Sequence, residues 1–210
     1  IALSSPDGAF IKWSVSYLSV MFAYHPDWSP AGDFITYQYY VANQAIPWNY
    51  IALDRSDGTG TRLLLTSEEN GECYSPSYSP DGKYIAYSSD KNGHRAIWIM
   101  NADGSAKRQL STNPDADDQP VFSPDGQKVY FIRGATPDIY CIDINTKNTI
   151  KITNTPNISE TRLSISKAGL IAYEATNGNV QDTEIFIMDS KGHTWQVTNN
   201  SYYDGQPDWR

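Results

Sequence analysis

One short string returns along this chain, and its spacing constrains the fold more than any other feature. "SYSPDGKYIAYSS" (Ser77 to Ser89) matches "VFSPDGQKVYFIR" (Val121 to Arg133) and "DWSPAGDFITYQY" (Asp27 to Tyr39). A worn copy, "SISKAGLIAYEA", runs from Ser164 to Ala175. The turn glycines Gly32, Gly82, Gly126 and Gly169 therefore stand 50, 44 and 43 residues apart. A second motif interleaves with the first: "IWIMNADG" (Ile97 to Gly104), "IALDRSDG" (Ile51 to Gly58) and "IFIMDSKG" (Ile185 to Gly192). "IYCIDINT" (Ile139 to Thr146) is a weaker copy, and "IALSSPDG" (Ile1 to Gly8) is another. That last copy contains "SPDG", but its register is that of the second turn.

Asp-Gly between runs of β-branched and aromatic residues signals a hairpin, because Gly tolerates the positive φ such a turn needs. No long segment has helical periodicity or caps, so the chain is expected to be all-β. Two strand-turn-strand units per period of 40 to 50 residues is the pattern of a β-propeller built from four-stranded antiparallel blades. In the second full repeat, strand A is expected near Pro76 to Ser79, B at Lys83 to Ser89, C at Ala96 to Asn101, and D near Arg108 to Ser111. The whole chain reads as one propeller domain, with blades at about 24–70, 71–115, 116–158 and 159–200. Residues 1–23 carry a strand C, a turn and a strand D, and 201–210 carry a strand A, together a partial or closing blade. Two readings stay open: about five blades with one shared by the chain ends, or a fragment of a six- or seven-bladed ring.

"FSPDGQKVYF" and "YSPDGKYIAYSSDKNGHRAIWIMNADGSAKRQLS" resemble the WD40-like PD40 repeat of the TolB β-propeller family. The resemblance covers nearly the whole chain, well in two repeats and loosely in the others, where "SPAG" and "SKAG" replace "SPDG". It implies a bacterial envelope or secreted protein, periplasmic in the case of TolB, that acts as a non-catalytic scaffold for a protein or glycan partner. The same repeats occur in the propeller of prolyl-oligopeptidase-like peptidases and in oligogalacturonate lyases, where a metal sits near the channel mouth. Either would give an alternative function. A shared fold does not choose among these.

Charge narrows the field. A formal net charge of −8 with no cluster of Lys and Arg argues against nucleic acid as a partner. The longest greasy stretch, Tyr17 to Tyr24, is too short to span a bilayer, so no membrane span is expected. The chain opens on Ile without a basic leader, which suggests a mature form or an excised domain. A monomer is expected. The two cysteines, Cys73 and Cys141, lack CxxC spacing and read as buried small hydrophobes.

Strand A lines the channel of a propeller, so its entry is where a site would sit. The aromatic position of this strand holds Trp28, Tyr78, Phe122, Ile165 and Trp209, expected to pack between blades. The residue before the Pro position is His25, Ser75, Gln119, Arg162 and Gln206. Two places earlier stand Asp117, Glu160 and Asp204, with Glu72 one place off. Brought into a ring, His25, Glu72, Asp117, Gln119, Glu160, Arg162, Asp204 and Gln206 would form a binding site at the channel mouth, where a divalent cation could sit. The alternative is that Asp and Gln cap the turns into strand A through backbone hydrogen bonds. No cofactor is called for, and no catalytic residue stands out. There is no GxSxG, no HxxxH or HxH, and "NPDADDQP" lacks the Gly and terminal Glu of a calcium loop. His94 and His193 fall in turns and are expected to be solvated. Trp98 is expected in the inter-blade core. Trp48, in the loop Val41 to Asn49, is a candidate contact for a protein or sugar.

Overall fold

Among the described residues, the repeat arithmetic is realised as four complete blades. The computed structural model describes residues 2–4, 10–13, 21–41, 48–65, 71–176 and 182–209. Blade 1 is β3 (Met21–Trp28), β4 (Phe34–Val41), β5 (Trp48–Arg55) and β6 (Thr61–Leu65). Blade 2 is β7 (Cys73–Tyr78), β8 (Tyr84–Ser89), β9 (Ala96–Asn101) and β10 (Arg108–Gln109). Blade 3 is β11 (Asp117–Phe122), β12 (Lys128–Arg133), β13 (Asp138–Asp143) and β14 (Thr149–Lys151). Blade 4 is β15 (Ser159–Ile165), β16 (Ile171–Thr176), β17 (Glu184–Met188) and β18 (Thr194–Gln196). Each is a four-stranded antiparallel meander in chain order. A separate hairpin pairs β1 (Ala2–Ser4) with β2 (Phe10–Trp13). At the other end, the amide of Asp204 donates to the Thr183 carbonyl at 2.8 Å. The Asp117 amide makes the same bond to Arg95 O and the Glu160 amide to Pro137 O, so residues 204–209 follow the course of a further strand A.

The first strands of neighbouring blades, β3, β7, β11 and β15, touch one another and form the inner wall. The blades are held by apolar faces packed between them. Ile51, Leu53 and Leu64 of blade 1 meet Tyr78, Tyr87 and Trp98 of blade 2. Ile97, Ile99 and Leu110 of blade 2 meet Phe122, Phe131 and Ile142 of blade 3. Ile132 and Ile139 of blade 3 meet Leu163, Tyr173 and Met188 of blade 4. The expected aromatic packing thus holds at Tyr78 and Phe122, both buried. It fails at Trp28, which is 48% exposed along with Phe22 and Tyr24. By the rule set by Tyr78 and Phe122, this aromatic packs on the preceding blade, and none of the four complete blades precedes blade 1.

The SPDG turn explains its own residue choice. In blade 2, the Gly82 amide donates to Ser79 O at 2.9 Å, with Gly82 at φ +71°. Ser79 Oγ and the Lys83 amide both donate to Asp81 Oδ1, at 2.7 and 3.1 Å. A side chain at Gly82 would be strained by φ alone, since left-handed backbone costs an L-residue about 1–2 kcal/mol. The weak second turn of blade 3 has no glycine. Lys147 takes the left-handed position there at φ 60°.

Candidate functional site at the channel mouth

The entry to strand A is not plain strand. Each inner strand is interrupted by a bulge, between Tyr24 and Asp27, Tyr74 and Ser77, Asp118 and Val121, and Thr161 and Ser164. At each interruption one non-glycine residue is left-handed: His25 (φ 48°), Ser75 (48°), Gln119 (53°) and Arg162 (53°). Gln206 takes the same conformation at 59° in the terminal segment. These are the residues the sequence aligned. Strain of this kind persists only where the surroundings over-determine it, and a bulge re-aims a side chain.

What over-determines it is a set of caps reaching across blade boundaries. The Ser75 amide donates to Gln38 Oε1 of blade 1 at 3.3 Å. The Arg162 amide donates to Gln119 Oε1 of blade 3 at 2.6 Å. The Gln206 amide donates to Glu174 Oε1 of blade 4 at 2.6 Å. The Gln119 amide is capped by its neighbour, Asp118 Oδ1, at 2.8 Å. Gln38 and Glu174 hold the same register position in their second strands, opposite Tyr24 and Thr161. Ser88 holds it in blade 2, and its Oγ is buried without a hydrogen-bond partner among the described residues.

The caps belong to a polar belt running through all four blades. Gln38 Nε2 donates to Asn49 Oδ1 at 2.7 Å, and Asn49 Nδ2 to Glu72 Oε1 at 3.5 Å. Tyr74 OH donates to Glu72 Oε2, and its ring lies 3.9 Å from the Arg95 guanidinium, which pairs with Asp118. Through Gln119 the belt reaches Arg162, whose Nε is 3.2 Å from Glu174 Oε1. Tyr203 OH closes on the same oxygen at 3.1 Å. Desolvation and the Glu72 carboxylate push the Tyr74 hydroxyl well above its ordinary pKa.

The predicted site residues divide into two groups. His25, Gln119, Arg162 and Gln206 all take the left-handed entry position; Gln119, Arg162 and Gln206 are linked through the caps and Glu174, and Glu72 lies in the belt. His25 is an exposed side chain, and three influences set its protonation. Partial desolvation by the surrounding wall lowers its pKa from 6.5, Asp118 raises it, and Arg162 lowers it. Residues of blades 1, 3 and 4 are therefore electrostatic neighbours. Asp117 and Glu160 turn into the protein instead. Asp117 is fully buried and paired twice with Arg133, at 2.5 Å to Nε and 2.9 Å to Nη2. Glu160, also buried, accepts from Thr153 Oγ1 and from Thr155 Oγ1 at 2.9 Å. Burial raises its pKa and the hydroxyls oppose that. Asp204 accepts from Asn200 Nδ2 at 2.5 Å. Trp48 opens β5 opposite Val41, so the loop is shorter than expected, and residues 42–47 lie outside those described.

His193 is exposed as expected, 3.0 Å from Asp189. His94 departs from expectation: its Nε2 is buried with no hydrogen-bond partner among the described residues. The turn that carries it is drawn against the next blade by the Asp117 amide on Arg95 O. Among the described residues, no three His, Cys, Asp or Glu side chains are grouped so as to hold a metal ion, and no helix is long and apolar enough to cross a membrane. Sequence reasoning missed Gln38, Arg95, Asp118 and Glu174, each of which has a partner in a neighbouring blade or the terminal segment more than 20 residues away in the chain.

Four meander blades around a common inner wall, with a polar mouth and apolar faces between blades, define a β-propeller. The family model for the TolB β-propeller domain, built on PD40 repeats, matches residues 2–210, and the chain belongs to that family. The Tol-Pal system protein TolB of Alcanivorax borkumensis is 33% identical over 97 residues, which are 46% of this chain and 22% of that protein. The crystal structure of TolB from Acinetobacter baumannii superposes with a TM-score of 0.74 at 21% identity, covering 94% of this chain and 48% of that one. An oligogalacturonate lyase in complex with manganese superposes with a TM-score of 0.67 at 14% identity, covering 90% and 56%. At these identities the structural matches show the fold alone. The chain spans less than half the length of these two TolB proteins.

Proposed function

We propose that this propeller is a binding scaffold whose channel mouth, at the entry to the inner strands, receives a protein partner. The observation that carries the reading is the belt. Its caps satisfy the left-handed backbone at Ser75, Gln119, Arg162 and Gln206, and the His25, Arg162 and Gln206 side chains are exposed. A rigid rim with preset polar groups spends little ordering entropy on binding. The relative named as a Tol-Pal system protein supports a protein partner of that kind, and with it a periplasmic or secreted location. The scaffold would act without catalysis.

The test is calorimetric titration with the purified soluble domain of a Tol-Pal component from the same organism. Binding should weaken about tenfold or more in Arg162→Ala, the cost of a charged hydrogen bond at an interface. Lys147→Ala, in the turn at the opposite end of the blades, should leave it unchanged. No binding, or equal binding by Arg162→Ala, overturns the reading. The lyase neighbour supports an enzyme as the competing reading. Manganese-dependent cleavage of oligogalacturonate by the purified chain would put that reading first.

A further inference from the structure

A second cleft opens on the flank of blades 3 and 4. A cleft of about 570 Å³ is lined there by Thr153, Asp182, Glu184, Phe186, Gln196 and Asn199, among others. Glu184 is only 8% exposed. Its Oε1 accepts the Asn200 amide at 2.8 Å, while its Oε2 is buried without a hydrogen-bond partner among the described residues. A buried carboxylate oxygen left unpaired is costly, and it is a point to be explained.

The neighbouring blade explains it. Strand registers make Asp138 of β13 the counterpart of Glu184, opposite Arg133 and Ala175 respectively. Asp138 also caps a backbone amide, that of Thr155 at 3.1 Å, the counterpart of Asn200. In blade 3 the other carboxylate oxygen is paired with the Lys151 ammonium at 2.7 Å. The same ammonium donates to Asn154 Oδ1 at 2.8 Å and stands 5.9 Å from the Tyr140 ring centre. Blade 4 keeps every part of this nest but the cation. Glu184 replaces Asp138, Phe186 replaces Tyr140 and Asn199 replaces Asn154, while Gln196 stands where Lys151 would. In blade 2 the carboxylate and the cation are both gone, with Ala96 and Gln109 at these positions. Blade 4 alone of the three retains an acceptor set for an ammonium without supplying one.

We propose that the cleft between blades 3 and 4 binds a primary ammonium group from outside the chain, with Glu184 as its anion, Asn199 as its amide acceptor and Phe186 as the ring beside it. An alkyl ammonium suits the place. It brings three donors, matches the Lys151 geometry and carries a methylene stem for the apolar wall of Ile152, Tyr173 and Met188. A free aliphatic diamine and a lysine side chain share this chemistry. The site is independent of the channel-mouth reading and can stand or fall without it.

The experiment is an NMR titration of the folded chain at 150 mM salt with cadaverine and, separately, with Nα-acetyl-lysine amide. Nα-acetyl-norleucine amide serves as the uncharged control. One or both amines should saturate with shifts centred on residues 184–186 and 196–200, and the tighter of the two identifies the source. Glu184→Gln, which keeps an oxygen for the Asn200 amide, should bind at least about tenfold more weakly. Gln196→Lys changes an exposed position and supplies the missing cation in cis. It should raise the thermal midpoint and abolish amine binding. The proposal is overturned if neither amine saturates the wild type, if the norleucine control binds equally, or if Gln196→Lys binds amine like the wild type.

Discussion

Asp27 should make the fold less stable as its carboxyl ionises, and Asp27→Asn should relieve this. The carboxyl lies between the inner strands of blades 1 and 2, where its Oδ2 accepts the Tyr78 amide at 2.7 Å. Desolvation dominates, helped slightly by the Asp208 charge, against hydrogen bonds from Tyr78, Ser77 and Trp28. The result is a pKa raised from 3.8 to about 6. An acid with a higher pKa folded than unfolded binds more protons in the native state, so stability falls as pH rises from about 4 to about 6 and is flat above. At about 1.4 kcal/mol per tenfold change in proton affinity, the ionised form costs about 3 kcal/mol at pH 7.5. Asn cannot ionise and keeps an acceptor for Tyr78. Its bond is weaker than one to a carboxylate, so the net gain is about 1–2 kcal/mol. Urea unfolding of both proteins at pH 4, 5, 6 and 7.5 reads the difference directly. Asn should gain on Asp across this window. A difference that stays constant with pH, or an Asn variant less stable at pH 7.5, would refute the reasoning, because the charged hydrogen bond would then outweigh desolvation.

Other outcomes follow from single sites. Lys147→Gly should raise the thermal midpoint, because relief of about 1–2 kcal/mol of left-handed strain exceeds the extra chain entropy of Gly. Gly82→Ala, at φ +71°, should lower it by a similar amount. Arg133→Met should cost about 3–5 kcal/mol in urea, since it strands the Asp117 charge in the interior, and adding Asp117→Leu should recover most of that. Burial pushes the Cys73 thiol up to about 12 and the Cys141 thiol up to about 11, so neither should react with a disulfide reagent at pH 8 until the chain unfolds.

The blades were legible because their determinants are local. Asp-Gly pairs, Ser at the head of the turn and alternating aromatic residues act within about ten residues, and each recurs. The mouth was legible only as an alignment. His25, Ser75, Gln119 and Gln206 each precede a proline, which biases a residue toward extended backbone, so nothing local announced their left-handed φ. Gln119 caps the Arg162 amide 43 residues on, a relation that exists only once two blades are packed. Asp117 and Gln119 are two positions apart but face different surroundings because the bulge intervenes between Asp118 and Val121. Sequence spacing put both in one ring, and the backbone irregularity separates them. Trp28 shows the same limit from the other side. Its type predicts burial, but burial depends on the neighbouring blade.

The most direct test of the central claim, that the inner-strand entries of separate blades converge on one mouth, is the titration of His25 by NMR. It should titrate below 6.5 in the wild type. Arg162→Gln should move it up and Asp118→Asn should move it down. A His25 that ignores both substitutions would contradict the claim, because blades 1, 3 and 4 would then share no common mouth.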